Sequence, residues 1–178
     1  WQNTRDLYRI WLSEIMLQQT QVATVIPYYA RFLEKFPTLV DLARASEDEV
    51  LALWSGLGYY SRGRNLLRAA HLAVEKFGGE FPREFDDILA LPGIGQSTAA
   101  AISAFAFGER RAILDGNVKR VFARHFGIAG FYGEKKVEAK LWHVANDALP
   151  KKNIEPYTQG LMDLGATVCL RSRPLCLA

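Results

Sequence analysis

The sequence predicts an all-α protein. Three observations carry that expectation: apolar residues recur at three- and four-residue spacing along nearly the whole chain, no segment alternates apolar and polar residues as a half-buried strand would, and helix-capping signals punctuate the periodic runs. About nine short helices follow from that period.

Taken in order, DLYRIWLSEIMLQQT, residues 6–20, reads as one helix in which Leu7, Ile10, Trp11 and Leu17 share an apolar face with Glu14 among them. VATVIPYYARFLEKF continues the period, with Pro27 marking a new first turn or a kink. SEDEVLALWSGL opens on a capping box, Ser46 with Glu49 three residues later. RGRNLLRAAHLAVEKFG runs to Gly78 and Gly79, where a helix should end. EFDDILAL stops at Pro92 and STAAAISAFAFG resumes. GNVKRVFARHFGI, KKVEAKLWHVANDAL and PYTQGLMDLGATVC complete the series. The charged segment GERRAILDG, residues 108–116, predicts a division into a first unit over residues 6–110 and a second over 111–178 joined by 1–5.

The 178 residues are 49% hydrophobic and 23% charged, enough for a packed core and too polar for a membrane protein. No apolar run reaches the roughly 18 residues a bilayer span needs, and no signal peptide precedes the first helix, so an intracellular protein is expected. The formal charge of +3 permits an anionic partner without naming one. Only two cysteines are present, Cys169 and Cys176, which argues against a disulfide-stapled secreted domain. A start at Trp1 and an end two residues beyond Cys176 suggest a piece of a longer protein.

Four stretches carry chemistry. LPGIGQSTAAAIS, residues 91–103, reads as helix, glycine-bearing hairpin and helix; Gly93 and Gly95 let backbone amides approach a partner, and the next helix begins with an anion-binding N-terminus. A phosphate clamp through Gly93, Gly95, Gln96 and Ser97 is the reading preferred over an ordinary helix–helix turn. A dinucleotide fingerprint would need a preceding strand and a glycine where Thr98 stands. YYSRGRNLLRAAH, residues 59–71, interleaves aromatic rings with Arg62, Arg64 and Arg68, which suits nucleic acid but equally a solvated helix face beside two core tyrosines.

Asp115, in ILDGNVKRVFARHF, precedes a helix as an N-cap would, and a cap's amide hydrogen bonds keep a carboxylate ionised. Glu14 has the opposite bias, because desolvation on an apolar face raises a carboxyl pKa. A buried Glu paired with an arginine accounts for Glu14 equally well. One carboxyl held protonated and another held ionised is nonetheless the division of labour that cleaves a glycosidic bond.

WLSEIMLQQTQV, GLGYYSRGRNL, LPGIGQSTA, ILDGNVKR and MDLGATVCLRSRPLC, in that order, resemble the helix-hairpin-helix DNA glycosylases, and among them the MutY-type adenine glycosylases. The resemblance implies two helical lobes with the active site in the cleft between them, the first a six-helix barrel carrying the hairpin. It implies removal of adenine mispaired with 8-oxoguanine or guanine in double-stranded DNA, by a monomer, after the base is flipped out of the stack. Glu14 matches the acid that protonates adenine N7 and then helps activate water. Asp115 matches the carboxylate that stabilises the sugar cation, and Asn117 its polar support. Gln19 and Thr20 match residues that fill the gap and touch the orphaned base, and Tyr59 the ring that intercalates beside it. Beside these carried-over residues, Arg62 and Lys119 are further candidate DNA contacts. Acid and wedge would then share one helix.

Endonuclease III-like enzymes resemble the same scaffold but carry a lysine at the position of Ser97, whose amine forms a Schiff base and cuts the strand. Serine implies a monofunctional enzyme that leaves an abasic site, with lysines such as Lys119 able to give weak adventitious cutting. A glycosylase/lyase for oxidised pyrimidines, or a non-catalytic DNA-binding module, are the alternatives. The family's [4Fe–4S] cluster uses four cysteines spaced C-x6-C-x2-C-x5-C. Cys169 and Cys176 supply only the first two, so for this chain a bare pair of buried cysteines is expected. A bacterial cytoplasm or nucleoid is the implied location.

Overall fold

A computed structural model describes residues 4–176. Among them are ten α-helices, one π-helical turn and no strand, so the all-α expectation holds. The chain divides into two compact units, the first ending at Gly95 and the second starting at Gln96. The division thus falls inside the hairpin and not at residue 110, because the helix that follows the hairpin packs with the later helices. Thr4 and Arg5 group with the first unit; residues 1–3 of the expected 1–5 segment lie outside the described residues.

The first unit contains α1 (Leu7–Leu17), α2 (Val22–Lys35), α3 (Leu39–Ala43), α4 (Glu47–Trp54), α5 (Ser61–Phe77) and α6 (Phe85–Leu89). α5 packs on α1, α3 and α4, and α2 packs on α1 and α4. Aromatic pairs stand within its largely aliphatic core: Trp11 meets Phe81 at a centroid separation of 5.1 Å, and Phe32 stands edge-on to Trp54 at 6.1 Å. Such pairs add directional preference to the burial of large apolar area.

Local chemistry explains the boundaries. Asp6 caps α1 by accepting from the Arg9 N–H, and the Ser46–Glu49 box starts α4 as the sequence predicts. α3 was not foreseen, although Thr38 and Asp41 form a second capping box at its start. α2 begins at Val22 and continues through Pro27, so the proline opens no new helix. α5 ends at Phe77, before Gly78.

The second unit contains α7 (Gln96–Phe107), α8 (Gly116–His125), α9 (Lys135–Asp147), α10 (Ile154–Asp163) and the π-helical turn Leu164–Val168. α10 packs on α7 and α8, α9 on α8, and the π-helical turn on both α8 and α10. Val118, Leu141, Ile102 and Ala104 are fully buried there. Arg110 fastens the loop before α8 by donating to the carbonyls of Leu149 and Pro150 at 2.8 and 3.0 Å.

Candidate functional site

From Ile10 to Met16, α1 is buried at every residue except Glu14, which is partly exposed. The neighbouring Ser13 is wholly buried, its hydroxyl donating back to the Ile10 carbonyl at 2.7 Å. Glu14 is thus the one partly exposed side chain in that buried stretch. The helix ends at Leu17, and Gln18–Thr20 form a turn, so Gln19 and Thr20 do not share the helix of Glu14. Gln19 is exposed and left-handed, with φ 57°.

The reason the helix stops there is Arg62, which corrects a sequence expectation. Expected to meet phosphate, its side chain is buried, with only 8% of the residue exposed. One guanidinium nitrogen donates to the carbonyls of Ile15, Met16 and Gln18. The other donates to Thr20 Oγ1 at 3.0 Å and to the carbonyls of Leu57 and Gly58 at 3.2 Å each. A cation beneath the last carbonyls of a helix gives a strong donor to acceptors that lack the amide partner of a continuing helix. Burial pushes the guanidinium below its usual pKa range. Its carbon lies 5.5 Å from the ring centres of both Trp54 and Tyr59.

Tyr59 and Tyr60 are exposed, at 61% and 42%, so neither is the core tyrosine the bland reading required. Tyr59 is left-handed, with φ 48°. Arg64 is also exposed but pairs with Glu47 at 3.0 Å, and Arg68 faces solvent.

In the hairpin, Gly93 adopts φ 82°, and a Cβ there would stand 2.9 Å from Asn65 Cβ, so both conformation and space demand glycine. Gln18 Nε2 donates to the Gly93 carbonyl at 3.3 Å, bringing the Gln18–Thr20 turn and the hairpin together. Gly95 and Gln96 are exposed. Ser97 is half-buried, and its hydroxyl oxygen accepts from the Leu114 N–H at 2.9 Å. Ser97 thereby holds the backbone immediately before Asp115.

Asp115 caps α8, its carboxylate accepting from the Val118 N–H at 2.8 Å. The cap was foreseen but not the balance of its electrostatics. Burial outweighs the amide hydrogen bonds from Val118 and Asn117 and the nearby Arg120 and Lys119, and pushes the carboxyl above its ordinary pKa. A carboxylate held in such surroundings is poorly solvated and gains most from a cation placed against it.

Asn117 Oδ1 accepts from Arg120 at 2.9 Å. Arg120 also donates to the carbonyls of Gly165 and Cys169, at 2.6 and 2.7 Å. Gly165 is buried, and a Cβ on it would come within 2.6 Å of Asn117 Cβ, so the π-helical turn lies directly against the start of α8. Sequence reasoning missed Arg120 and Gly165; the i, i+3 spacing of Asn117 and Arg120 was the available signal. Lys119 is paired with Glu138 at 2.5 Å.

Cys169 and Cys176 are both free, the first partly exposed and the second exposed, so they are not the buried pair expected. Cys169 Sγ accepts from Arg124 at 3.3 Å. Among the described residues no group of three or more His, Cys, Asp or Glu could hold a metal ion, and two thiolates do not fit a four-ligand iron–sulfur cluster. No helix among the described residues is long and apolar enough to cross a membrane.

Residues 12–147 match the family described as HhH-GPD superfamily base excision DNA repair protein. Over 176 residues, 99% of the chain, the sequence is 46% identical to an adenine DNA glycosylase of Buchnera aphidicola from Acyrthosiphon pisum, of which it covers 50%. It is 48% identical over 173 residues to the adenine DNA glycosylase of Homo sapiens, of which it covers 32%. The chain therefore spans half or less of the length of these relatives. A thermostable thymine-DNA glycosylase superposes with a TM-score of 0.88 at 31% identity, covering 99% of this chain and 82% of that one. A non-covalent endonuclease III–DNA complex gives a TM-score of 0.81 at 24% identity over 96% of this chain and 78% of that one, a likeness of fold. With the family match running from the helix of Glu14 through the hairpin to α9, this chain belongs to the HhH-GPD superfamily of base excision DNA repair proteins.

Proposed function

We propose that this chain is the catalytic part of an adenine DNA glycosylase that removes adenine mispaired with 8-oxoguanine or guanine in duplex DNA by hydrolysis. What supports the reading above all is the 46% and 48% identity to adenine DNA glycosylases over nearly its whole length. In the reaction, Glu14 donates a proton to N7 of the flipped adenine, and the bond from the sugar C1′ to N9 breaks with its electron pair leaving on the base. The ionised Asp115 stabilises the sugar cation, with Asn117 keeping the start of α8 in place. Water attacks C1′ and gives its proton to the Glu14 carboxylate, which restores the acid.

Ser97 has no amine to attack the sugar, and its oxygen is engaged by the Leu114 N–H. The product is therefore an abasic site and not a broken strand. Gln19, Thr20 and Tyr59 touch the orphaned base, while Gly93, Gly95 and Gln96 meet the phosphates; Lys119 does so only by leaving Glu138. Two thiolates do not complete an iron–sulfur site, and no step here passes through one.

The test is a labelled duplex carrying one adenine opposite 8-oxoguanine, treated with and without alkali, and in parallel with borohydride. Breaks at the adenine only after alkali, with no trapped covalent adduct, are expected. A borohydride adduct, or breaks at thymine opposite guanine and none at adenine, would overturn the reading.

A further inference from the structure

We propose that Arg62 is a positioning residue that presets the two exposed side chains Gln19 and Tyr59 for the base opposite the one removed. The inference rests on the reading above that these two residues touch that base.

Two non-glycine residues of the first unit, Gln19 and Tyr59, occupy left-handed backbone conformations at φ 57° and 48°. Such conformations are costly for non-glycine residues and persist only where surrounding structure holds them. Forty positions apart in the chain, both are held by one side chain. Arg62 bonds the Gln18 carbonyl before Gln19 and Thr20 Oγ1 after it, and it bonds the Gly58 carbonyl before Tyr59. The Tyr59 ring also lies over the guanidinium.

The chemistry selects arginine. A planar guanidinium carries two terminal nitrogens in a fixed fork, and in Arg62 these two reach acceptors from both turns while Nε has no hydrogen-bond partner and a ring stacks on the plane. Lysine would keep the charge and supply three donors at one point, too few and too compact to span both turns. Because Arg62 is buried, with 8% of the residue exposed, its effect on DNA passes through Gln19 and Tyr59 and not through a phosphate. The turn held by Arg62 is also tied to the hairpin, through Gln18 and the Gly93 carbonyl. One guanidinium thus holds the turn that Gln18 ties to Gly93 within the first unit.

The experiment uses the intact protein with Arg62→Lys, Tyr59→Ala and the double variant, each shown by thermal melting to be folded at the assay temperature. Single-turnover adenine release is measured from a duplex with 8-oxoguanine opposite and from a duplex with an abasic analogue opposite, where there is no base to grip. Misplacing contacts by about 1 Å costs on the order of 100-fold, and that loss is expected for Arg62→Lys on the first duplex with little change on the second. The double variant should lose scarcely more than Arg62→Lys alone. Equal loss on both duplexes would mean a merely structural role and overturn the proposal, as would additive losses. If Tyr59→Ala leaves both rates unchanged, the opposite-base reading itself fails, and a wild-type protein with no adenine release on either duplex fails the function.

Discussion

Arg62 in the first unit and Arg120 in the second both spend their guanidinium groups on backbone carbonyls, yet what they hold differs. Arg62 is buried and joins two turns whose exposed residues, Gln19 and Tyr59, have no titratable acid beside them in sequence. Arg120 is partly exposed and joins Asn117 to Gly165 and Cys169, next to a carboxylate that burial has made harder to ionise. In the proposed function the first arrangement shapes a contact surface and the second places a charge. Damage to the first should therefore depend on the DNA offered, and damage to the second should appear on every substrate.

The largest effect expected in the second unit is that of Asp115→Asn. Asparagine is as good an N-cap as aspartate, so α8 keeps its start while the charge is lost. Adenine release should fall on the order of 10³-fold on all duplexes. Stability should move the other way. The folded-state pKa of Asp115 lies above its ordinary value of 3.8, so the ionised form carries a burial penalty once the pH exceeds both values. The Asn variant should melt at or above the wild type near neutral pH, and that gain should fade as pH falls through the raised pKa toward 3.8 and below. A large loss of melting temperature at neutral pH would show that the charge supports the fold. For the wild type, the single-turnover rate should decline on acidification at a pH above the ordinary aspartate range.

Next comes Arg120→Ala, which releases Asn117 and two carbonyls together. Stability should drop by roughly 2 kcal/mol, read by denaturant unfolding. The rate should fall about 100-fold whether the opposite base is present or absent, since the displaced group is chemical and not a base contact. A loss confined to one duplex would erase the contrast with Arg62. The smallest loss of rate is expected for Gly165→Ala, whose methyl must displace Asn117 Cβ from 2.6 Å at a stability cost of about 1–3 kcal/mol. Its rate loss should be milder than that of Arg120→Ala, because the guanidinium bonds remain.

Much of this was legible in the residues. Ser46 with Glu49 and Asp115 before α8 are local signals whose partners lie three residues away, and they read correctly. Thr38 with Asp41 carries the same signal, yet the five-residue α3 is too short to show a period. What sequence could not reveal was where long side chains go. Arg62 stands among exposed tyrosines and a second, exposed arginine, a context that suggests phosphate; its partners lie forty or more positions upstream as well as nearby. The helix through Gln19 failed for the same reason, since a tertiary cation and not a local breaker ends α1. Gly165 gave no hint either, because its crowding arises from Asn117, far along the chain.

The measurement that bears most directly on the central claim is single-turnover adenine release from an adenine–8-oxoguanine duplex by wild type and Glu14→Gln at matched folded fraction. Glutamine preserves size and polarity at the one partly exposed position in the buried middle of α1 but donates no acidic proton. A loss on the order of 10³-fold or more with DNA affinity retained is the predicted result. Release at the wild-type rate by Glu14→Gln would contradict the account, and the acid would have to be sought elsewhere in the chain.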